Sequence, residues 1–391
     1  MLRVAIVGCG KIADDHASQI QRIEGCEIVG VCDRELLMAR QLCERFSAGH
    51  CFSDLSHLLT ETNPDVVHIT TPPQTHFDIA MQCLEWGCHV YVEKPFTLNS
   101  QEAQKLIGLA NARQLKITVG HDDQFTNVAR RMRSLVQAGF LGDRPVHMES
   151  YYCYELGQSG YAGAMLSDKH HWVRGLPGKL LQNVISHGIA RIAEFLTTDS
   201  PRVIAYGFVS PFLKSIGEHE IIDELRVIIS EEERTTAYFT FSSQMRPLLR
   251  QFRIYGSKNG LVLDHDQETL IRLHGARLKS YAEKFVPSLV AAAQYVGNFL
   301  KNMRIFMARD LHMKAGMKYL IESFYRSIAE DTPLPISYRE ILLTTRIMDS
   351  IFEQLDAKRP AQSRHSPSPT KTPNPQSNAL QVSLGEESTT R

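Results

Sequence analysis

The sequence has 391 residues, of which 43% are hydrophobic and 22% are charged, so it can bury cores of globular size. Lysine plus arginine and aspartate plus glutamate both total 43, and this balance gives no electrostatic reason to expect binding to nucleic acid. Because it shows neither a signal-peptide pattern nor a long apolar run, we expect a cytoplasmic protein that does not contact membranes.

Strand and helix patterns alternate along the first third of the chain. Strands are predicted over residues 4–7, 27–32, 66–70, 90–93 and 116–120. Helices are predicted over residues 12–23, 34–46, 75–86 and 100–113. This alternation indicates the α/β class, with a doubly wound parallel sheet. We therefore predict a Rossmann dinucleotide-binding domain over residues 1–122.

The pattern changes after this segment. Strands are predicted over residues 145–154, 201–209, 221–230, 235–242, 251–255, 260–263 and 269–273. Helices are predicted over residues 127–138, 179–196, 288–307, 311–330 and 338–355. We predict an α+β domain over residues 123–358, with a largely antiparallel open-faced sheet that serves substrate binding and oligomerisation. Residues 359–391 are rich in Ser, Pro and Thr, which predicts a disordered tail.

A glycine-rich motif joins the first strand to the first helix. The motif is G-x-G-x-x-A: Gly8 allows the tight turn, Gly10 lets the backbone approach a pyrophosphate, and Ala13 permits close helix packing. Lys11 and Ile12 lie at the helix N-terminus, which attracts phosphates. We predict a dinucleotide site here; the alternative is a glycine turn without a ligand.

Asp33 follows the second predicted strand, 20 residues after Ala13. A carboxylate at this position can accept hydrogen bonds from the adenosine ribose of NAD and would repel the 2′-phosphate of NADP. Arg34 could stack on adenine or pair with that phosphate, so NADP remains the less favoured alternative. Asp33 could also cap the helix that follows it.

Two loops follow the next strands at the same edge of the predicted sheet. The first contains Thr71, Pro72, Pro73 and His76, and we expect these residues to line the nucleotide crevice. Taken alone, this segment is an ordinary loop into a helix.

Glu93 and Lys94 lie in the second loop, within the sequence Glu-Lys-Pro. The proline restrains the backbone of Lys94 to extended geometry, and a lysine there can point at a substrate oxygen beside the nicotinamide. The alternative is a solvated surface lysine.

Asn183 and His187 are four residues apart on a predicted helix and hence on one face. Histidine can accept a proton from an alcohol near neutral pH. His171 and Trp172 precede them in a loop that could reach the same site, and Tyr154 is an alternative proton carrier. The eight cysteines form no C-x-x-C pair and no histidines have metal-site spacing, so we expect reduced thiols and no metal.

These features together resemble the Gfo/Idh/MocA family (glucose–fructose oxidoreductase, inositol dehydrogenase) over residues 2–355. The motifs that carry the resemblance occupy residues 8–13, 71–76, 93–95, 139–142 and 255–260. The resemblance implies that Lys94 binds the reacting oxygen and that His187 is the acid/base. The family's Asp-x-x-x-His motif has Asn183 in place of its aspartate, and Gln124-Phe125 stands where many members have Arg-Phe. These departures concern the substrate more than the reaction type.

The resemblance implies an NAD-dependent oxidoreductase that transfers hydride between nicotinamide and a hydroxyl or keto carbon. The implied substrate is a sugar, nucleotide sugar or cyclitol, and the implied assembly is a homodimer or homotetramer. One alternative is a non-catalytic NAD-binding regulator on the same fold. Another is a redox-assisted hydrolase or lyase that keeps its NAD bound. The apolar segment 285–307 fits a buried helix or a subunit-interface helix better than a helix on a membrane surface.

Overall fold

The computed structural model describes residues 1–156, 160–232, 234–275, 279, 281–308 and 314–357. The predicted tail, residues 359–391, lies outside the described residues. Met1–Ala357 form one compact unit, so the predicted boundary after residue 122 stays a prediction. Within the described ranges, no helix combines the length and the apolar character needed to cross a membrane.

Six strands in the N-terminal third form a wholly parallel sheet. They are β1 (Leu2–Val7), β2 (Cys26–Cys32), β3 (Cys51–Phe52), β4 (Val66–Ile69), β5 (His89–Val92) and β6 (Ile117–Val119). Their spatial order is β3-β2-β1-β4-β5-β6. The direction of winding reverses between β1 and β4, and in such sheets ligands bind beyond the carboxyl ends of the strands at that point.

Helices connect these strands. They are α1 (Lys11–Ile20), α2 (Leu36–Phe46), α3 (Leu55–Thr62), α4 (His76–Trp86), α5 (Ser100–Ala112) and α6 (Asn127–Gln137). Side chains cap several of their N-termini: Asp54 accepts from the His57 N–H, and Asn99 accepts from the Glu102 N–H. The sequence therefore encodes the starts of these helices locally.

Seven strands form the second sheet. They are β7 (His147–Tyr152), β8 (Arg202–Phe208), β9 (Glu224–Glu231), β10 (Thr235–Ser242), β11 (Arg250–Tyr255), β12 (Asn259–Asp264) and β13 (Thr269–His274). Their order is β13-β12-β11-β7-β10-β9-β8, and all neighbours are antiparallel except β7 and β10. The predicted fold class is therefore confirmed.

Side chains alternate between the two faces of the second sheet, as strand geometry requires. Ala205, Val227 and Phe239 lie side by side on β8, β9 and β10 and are buried. Among the residues that precede or follow them, Ile204, Ile228 and Tyr238 point to the opposite face and are exposed. One face of this sheet thus packs on a core and the other carries exposed apolar side chains.

The remaining helices belong to the second part of the chain. They are α7 (Gly160–Ser167), α8 (Lys179–Val184), α9 (Ser186–Ala193), α10 (Pro211–Ser215), α11 (Ala282–Met307), α12 (Ala315–Ala329) and α13 (Tyr338–Ala357). Helix α12 buries its apolar side chains in the core of the parallel sheet, with Phe324 fully buried there. Helix α13 places Ile341 in that core and Ile351 in the core of the second sheet. The C-terminal helices therefore tie the two sheets together.

Helix α11 covers the edge strand β13 through amide side chains. Asn298 accepts from the Leu270 N–H at 3.3 Å and donates to its carbonyl at 3.1 Å. Gln294 makes the same two contacts with Arg272, at 2.8 and 3.1 Å. These side chains form hydrogen bonds with backbone N–H and C=O groups of β13 that could otherwise pair with another strand. Asn298 is the one buried residue of the helix.

Several predicted elements differ from the structure. The predicted helix 179–196 is wrong as one element, because it breaks at Ile185 between α8 and α9. Residues 184–188, Val-Ile-Ser-His-Gly, are all weak helix formers, which explains the interruption. Helix α2 begins at Leu36, not at residue 34, and its N-cap is Glu35, so Asp33 is not the cap. Helix α11 begins six residues before the predicted start, and residues 311–313 of another predicted helix lie outside the described residues.

Candidate active site

The turn between β1 and α1 has the geometry of a phosphate cradle. Gly8 has a φ of +94°, and a Cβ on it would lie 2.7 Å from the backbone nitrogen of Thr71. Only glycine fits both conditions. A Cβ on Gly10 would meet nothing within 4 Å, so the space in front of the helix N-terminus is open. Lys11 and Ile12 begin α1, and Ala13 is fully buried beneath the turn.

Asp33 lies beside this cradle at the end of β2. Its Oδ2 accepts from the Cys9 N–H at 2.7 Å, and its Oδ1 accepts from the Glu35 N–H at 2.9 Å. The carboxylate is thereby held at the edge of the turn and is only half-buried. The guanidinium of Arg34 is 94% exposed. The cradle therefore fits a dinucleotide whose adenosine ribose faces Asp33.

His76 links the two loops that follow β4 and β5. Its ring is fully buried, and its nitrogens lie 2.9 Å from the carbonyl oxygens of Thr71 and Pro95. Pro72 and Pro73 continue the first loop into a short 3₁₀ turn, Pro73–Thr75. His76 thus fixes the walls of the crevice from within and does not itself face the open cradle.

Lys94 meets the second part of the chain. Its Nζ donates to the carbonyl oxygen of Asn183 at 3.1 Å, across 89 residues of sequence. Asn183 lies near the end of α8, and His187 follows it near the start of α9. Burial, together with the positive charge of Lys94, lowers the pKa of His187 to about 3. The structure therefore brings Lys94 and the Asn183–His187 segment together.

A loop from the second part of the chain lies against the nucleotide crevice. Gln74 Nε2 donates to the carbonyl oxygen of Trp172 at 2.9 Å, which links the β4 loop to the predicted substrate loop. His171 caps the short 3₁₀ turn Trp172–Gly175, and its ring stacks on Trp172 with centroids 5.6 Å apart. These two residues thus stand at the rim of the crevice.

The tyrosine whose ring stacks on His187 is Tyr152, with centroids 5.9 Å apart. It lies two residues before the predicted Tyr154, which follows the end of β7. Sequence alternation marked this strand without identifying which of its tyrosines faces the histidine.

Residues 2–121 match the model of the GFO_IDH_MocA family, described as an oxidoreductase family with an NAD-binding Rossmann fold. The match covers less than a third of the chain and coincides with the parallel sheet and its helices. It supports the predicted resemblance and NAD as the predicted cofactor, and it agrees with the predicted enzyme class.

Two curated proteins share part of their sequence with this chain. D-glucoside 3-dehydrogenase of Escherichia coli is 34% identical over 145 residues, which are 36% of this chain and 41% of that protein. Glycosyl hydrolase family 109 protein 2 of Akkermansia muciniphila is 24% identical over 212 residues, 51% of this chain and 43% of that protein. The chain thus spans less than half the length of these curated relatives.

A solved structure agrees over a longer stretch. UDP-N-acetylglucosamine 3-dehydrogenase from Acidithiobacillus ferrooxidans superposes with a TM-score of 0.69 at 21% identity, covering 91% of this chain and 98% of that one. At this level of identity the similarity shows the fold, which extends over both sheets of this chain.

A carboxyl group that sequence reasoning missed faces His187. Asp122 Oδ1 lies 3.8 Å from His187 Nδ1, and among the described residues no hydrogen bond reaches that nitrogen. Burial raises the pKa of Asp122, and neighbouring Asp123 raises it further, to about 7. Asp122 therefore stands where the aspartate absent at Asn183 would act on the histidine.

Asp123 belongs to a buried ion cluster below the same site. It lies 2.6 Å from Arg191 and 3.0 Å from Arg250. Although burial raises the pKa of Asp123, the positive charges of Arg191 and Arg250 hold it well below its usual range. Both arginines also lie over the ring of Tyr152, at 5.5 and 5.4 Å.

One group of metal-ligand side chains occurs in the described part of the chain: Asp122, Asp123 and His187, whose ligand atoms lie within 4.8 Å of one another. Arg191 and Arg250 already neutralise Asp123. We therefore assign these groups to the charge network around His187. In the sequence, the two aspartates could be found from their position, because they come three and four residues after the end of β6, at the carboxyl edge of a parallel sheet.

Proposed function

We propose that this protein is an NAD-dependent oxidoreductase that transfers hydride between NAD and a hydroxyl-bearing carbon of a sugar, nucleotide sugar or cyclitol. The observation that carries the proposal is the bond from Lys94 Nζ to the carbonyl of Asn183, four residues before His187. It joins the nucleotide crevice and the second part of the chain at one point. A substrate oxygen held there would meet both an ammonium group and an imidazole.

His187 is the proton acceptor in this proposal. Because burial lowers its pKa to about 3, the imidazole is neutral at physiological pH and has a lone pair for the hydroxyl proton. Asp123, whose pKa is held well below its usual range, supplies negative charge that stabilises the imidazolium once it forms. The geometry thus supports proton acceptance without an aspartate at position 183.

Lys94 holds the reacting oxygen. Its ammonium stabilises the negative charge that develops as the hydroxyl loses its proton. Bound NAD supplies the nicotinamide carbon that accepts the hydride as the C–H bond breaks and the carbonyl forms. Asn183 holds a substrate hydroxyl beside this pair, and the names of the relatives favour hexoses linked to an aglycone or to a nucleotide.

The test is reduction of NAD in the presence of a substrate panel, followed by the absorbance of reduced nicotinamide. The panel contains glucosides, UDP-N-acetylglucosamine and myo-inositol. Lys94→Ala and His187→Ala should each lower turnover by about a hundredfold to ten-thousandfold, the usual contribution of a proton-transferring group. The affinity for NAD should persist, because neither residue belongs to the glycine cradle.

Matched controls are available on the surface. Lys105 and His57 are exposed, so Lys105→Ala and His57→Ala should leave turnover unchanged. Normal turnover in His187→Ala on a confirmed substrate would contradict the assigned proton acceptor. Tight NAD binding without turnover of any panel member would favour the non-catalytic regulator.

A second candidate function rests on the similarity to a protein named as a glycosyl hydrolase. In that case the protein would release a free sugar from a glycoside while NAD stays bound and returns to its oxidised form. Chromatography of the sugar products separates the two functions. An oxidised sugar with stoichiometric NADH supports the dehydrogenase, and a hydrolysed glycoside without net NADH supports the hydrolase.

We also propose that the protein forms a homo-oligomer through the exposed face of the second sheet. Ile204, Ile228 and Tyr238 are directly opposite one another on β8, β9 and β10, and each is more than 40% exposed. Contiguous apolar surface of this kind marks an interaction site.

A further inference from the structure

A chain of hydrogen bonds between buried polar side chains runs through the parallel sheet behind Lys94. Glu93 Oε1 lies 2.9 Å from His16 Nε2, and His16 Nδ1 lies 2.8 Å from His68 Nδ1. His68 Nε2 lies 2.7 Å from the hydroxyl of Tyr325. All four residues are at least 94% buried. Each buried polar group must find a hydrogen-bond partner or it lowers stability. Apolar side chains could fill the same space without this requirement, so packing alone does not explain these four residues.

With both imidazoles neutral, one arrangement of protons satisfies every link. Although burial raises the pKa of Glu93, its hydrogen bond with His16 and the positive charge of Lys94 hold it at about 2, so Glu93 is a carboxylate. Burial lowers the pKa of His68, which is therefore neutral. Tyr325 then donates to His68 Nε2, His68 donates from Nδ1 to His16, and His16 donates from Nε2 to Glu93. Every donor in the chain points towards Glu93.

The two ends of the chain lie in different surroundings. Glu93 directly precedes Lys94, and the charges of Lys94 and His187 both act on its carboxylate. Tyr325 lines a surface cleft of about 560 Å³ between the end of α1 and helix α12. The cleft is also lined by charged side chains, namely Arg22, Glu24, Lys318, Glu322, Arg326 and Glu330. The chain of hydrogen bonds therefore connects the candidate active site with a polar, solvent-accessible cleft.

We propose that Glu93, His16, His68 and Tyr325 form a proton relay between this cleft and the active site. The proposal rests on the proposed function, in which reduction of a carbonyl by NADH consumes one proton and oxidation of the alcohol releases one. Tyr325 takes a proton from water as it passes its own to His68 Nε2. His68 passes its Nδ1 proton to His16, and His16 passes its Nε2 proton to Glu93. One proton enters and one arrives beside Lys94; oxidation runs the same steps in reverse.

The structure offers a matched pair of isosteric variants. Tyr325→Phe removes only the hydroxyl that connects His68 with the cleft. Tyr91→Phe removes a hydroxyl that is buried without a hydrogen-bond partner among the described residues, although its ring stacks on His68 with centroids 4.7 Å apart. Both variants perturb the packing of the same imidazole, and only the first one interrupts the relay.

The first measurement needs no substrate. In the full chain with bound NAD and ¹⁵N-labelled histidine, NMR saturation transfer reports how fast the ring N–H protons of His16 and His68 exchange with water. Tyr325→Phe should slow this exchange by about tenfold or more, because the hydroxyl is the link to water, while Tyr91→Phe should leave it unchanged. Exchange in Tyr325→Phe that is as fast as in the wild type, or faster, would overturn the relay.

The second measurement uses a carbonyl substrate and NADH. Tyr325→Phe should lower kcat by about tenfold, less than the loss of a group that transfers the proton directly, and should enlarge the solvent deuterium isotope effect. KM and the affinity for NADH should stay unchanged. If the wild type reduces no substrate, the proposed function fails, and the exchange measurement alone decides whether the relay exists.

Discussion

Replacing Asp123 with asparagine tests whether the ion cluster below His187 holds the site together. The side chain of Asp123 lies between two guanidinium groups, 2.6 Å from Arg191 and 3.0 Å from Arg250. Arg191 is 97% buried, and Arg250 is partly buried. Asp123→Asn keeps the size of the side chain and removes the negative charge, so both guanidinium groups lose their shared counter-charge.

The size of the effect follows from this burial. Removing one partner of a buried ion pair typically destabilises a protein by about 3–5 kcal/mol, because the other charge stays buried and unpaired. An unfolding entropy of about 2.1 cal/mol/K per residue gives roughly 0.75 kcal/mol/K for Met1–Ala357. The melting temperature of Asp123→Asn should therefore fall by about 4–7 °C.

Differential scanning calorimetry at neutral pH measures this shift, and Asp266→Asn is the matched control. Asp266 also pairs with Arg250, at 3.5 Å, but its side chain is 46% exposed. Exposed pairs contribute about 0–1 kcal/mol, so the control should shift the melting temperature by no more than about 1 °C. Equal shifts in the two variants would refute the reasoning that burial decides the strength of the cluster.

Three further predictions follow from single positions. Burial lowers the pKa of His187 from 6.5 to about 3, so between these pH values the unfolded chain binds a proton that the folded chain does not. The free energy of unfolding therefore decreases as the pH is lowered below 6.5. Urea titrations at pH 7 and pH 5 measure how much the free energy of unfolding decreases between the two values. The decrease should be smaller for His187→Gln than for the wild type, by about 1.4 kcal/mol for each pH unit below 6.5. Equal decreases in the two proteins would contradict this prediction. Gly8→Ala should weaken NAD binding by at least about tenfold in calorimetric titration, since a Cβ there lies 2.7 Å from the backbone of Thr71. NAD should bind more tightly than NADP, and Asp33→Ser should reduce the ratio between the two affinities. Equal affinities of the wild type for NAD and NADP would show that Arg34, and not Asp33, determines cofactor preference.

The cofactor half of the site could be predicted from the sequence because its chemistry is local. Gly8, Gly10 and Ala13 are contiguous, and the turn they form depends on the conformations that these residue types allow. Lys94 follows a strand directly, so its place at the crevice edge needs only the strand order of a parallel sheet. Short-range patterns carry all of this information.

The other half of the site depends on contacts between distant segments. Asp122 and His187 are 65 positions apart, and only the packing of the loop after β6 on α9 brings them within 3.8 Å. Similarly, Tyr325 reaches His68 across 257 positions because α12 returns to the first core. Periodicity predicted α12 as a helix, but nothing local indicates which sheet a helix will cover. Sequence patterns therefore indicated His187 as a candidate proton acceptor, but they did not indicate the charged groups that surround it.

The exposed row on the second sheet yields the last prediction. Ile228 is central in this row, with Ile204 opposite on one side and Tyr238 on the other. If a second copy of the chain covers the row, Ile228→Glu would bury a carboxylate without a partner, and the dissociation constant should rise by more than about tenfold. Leu37→Glu is the control, because Leu37 is 66% exposed and lies on α2, which connects strands of the first sheet and is not part of this row. Sedimentation equilibrium at several concentrations measures both variants. A monomeric wild type, or equal dissociation in the two variants, would contradict an interface on this face.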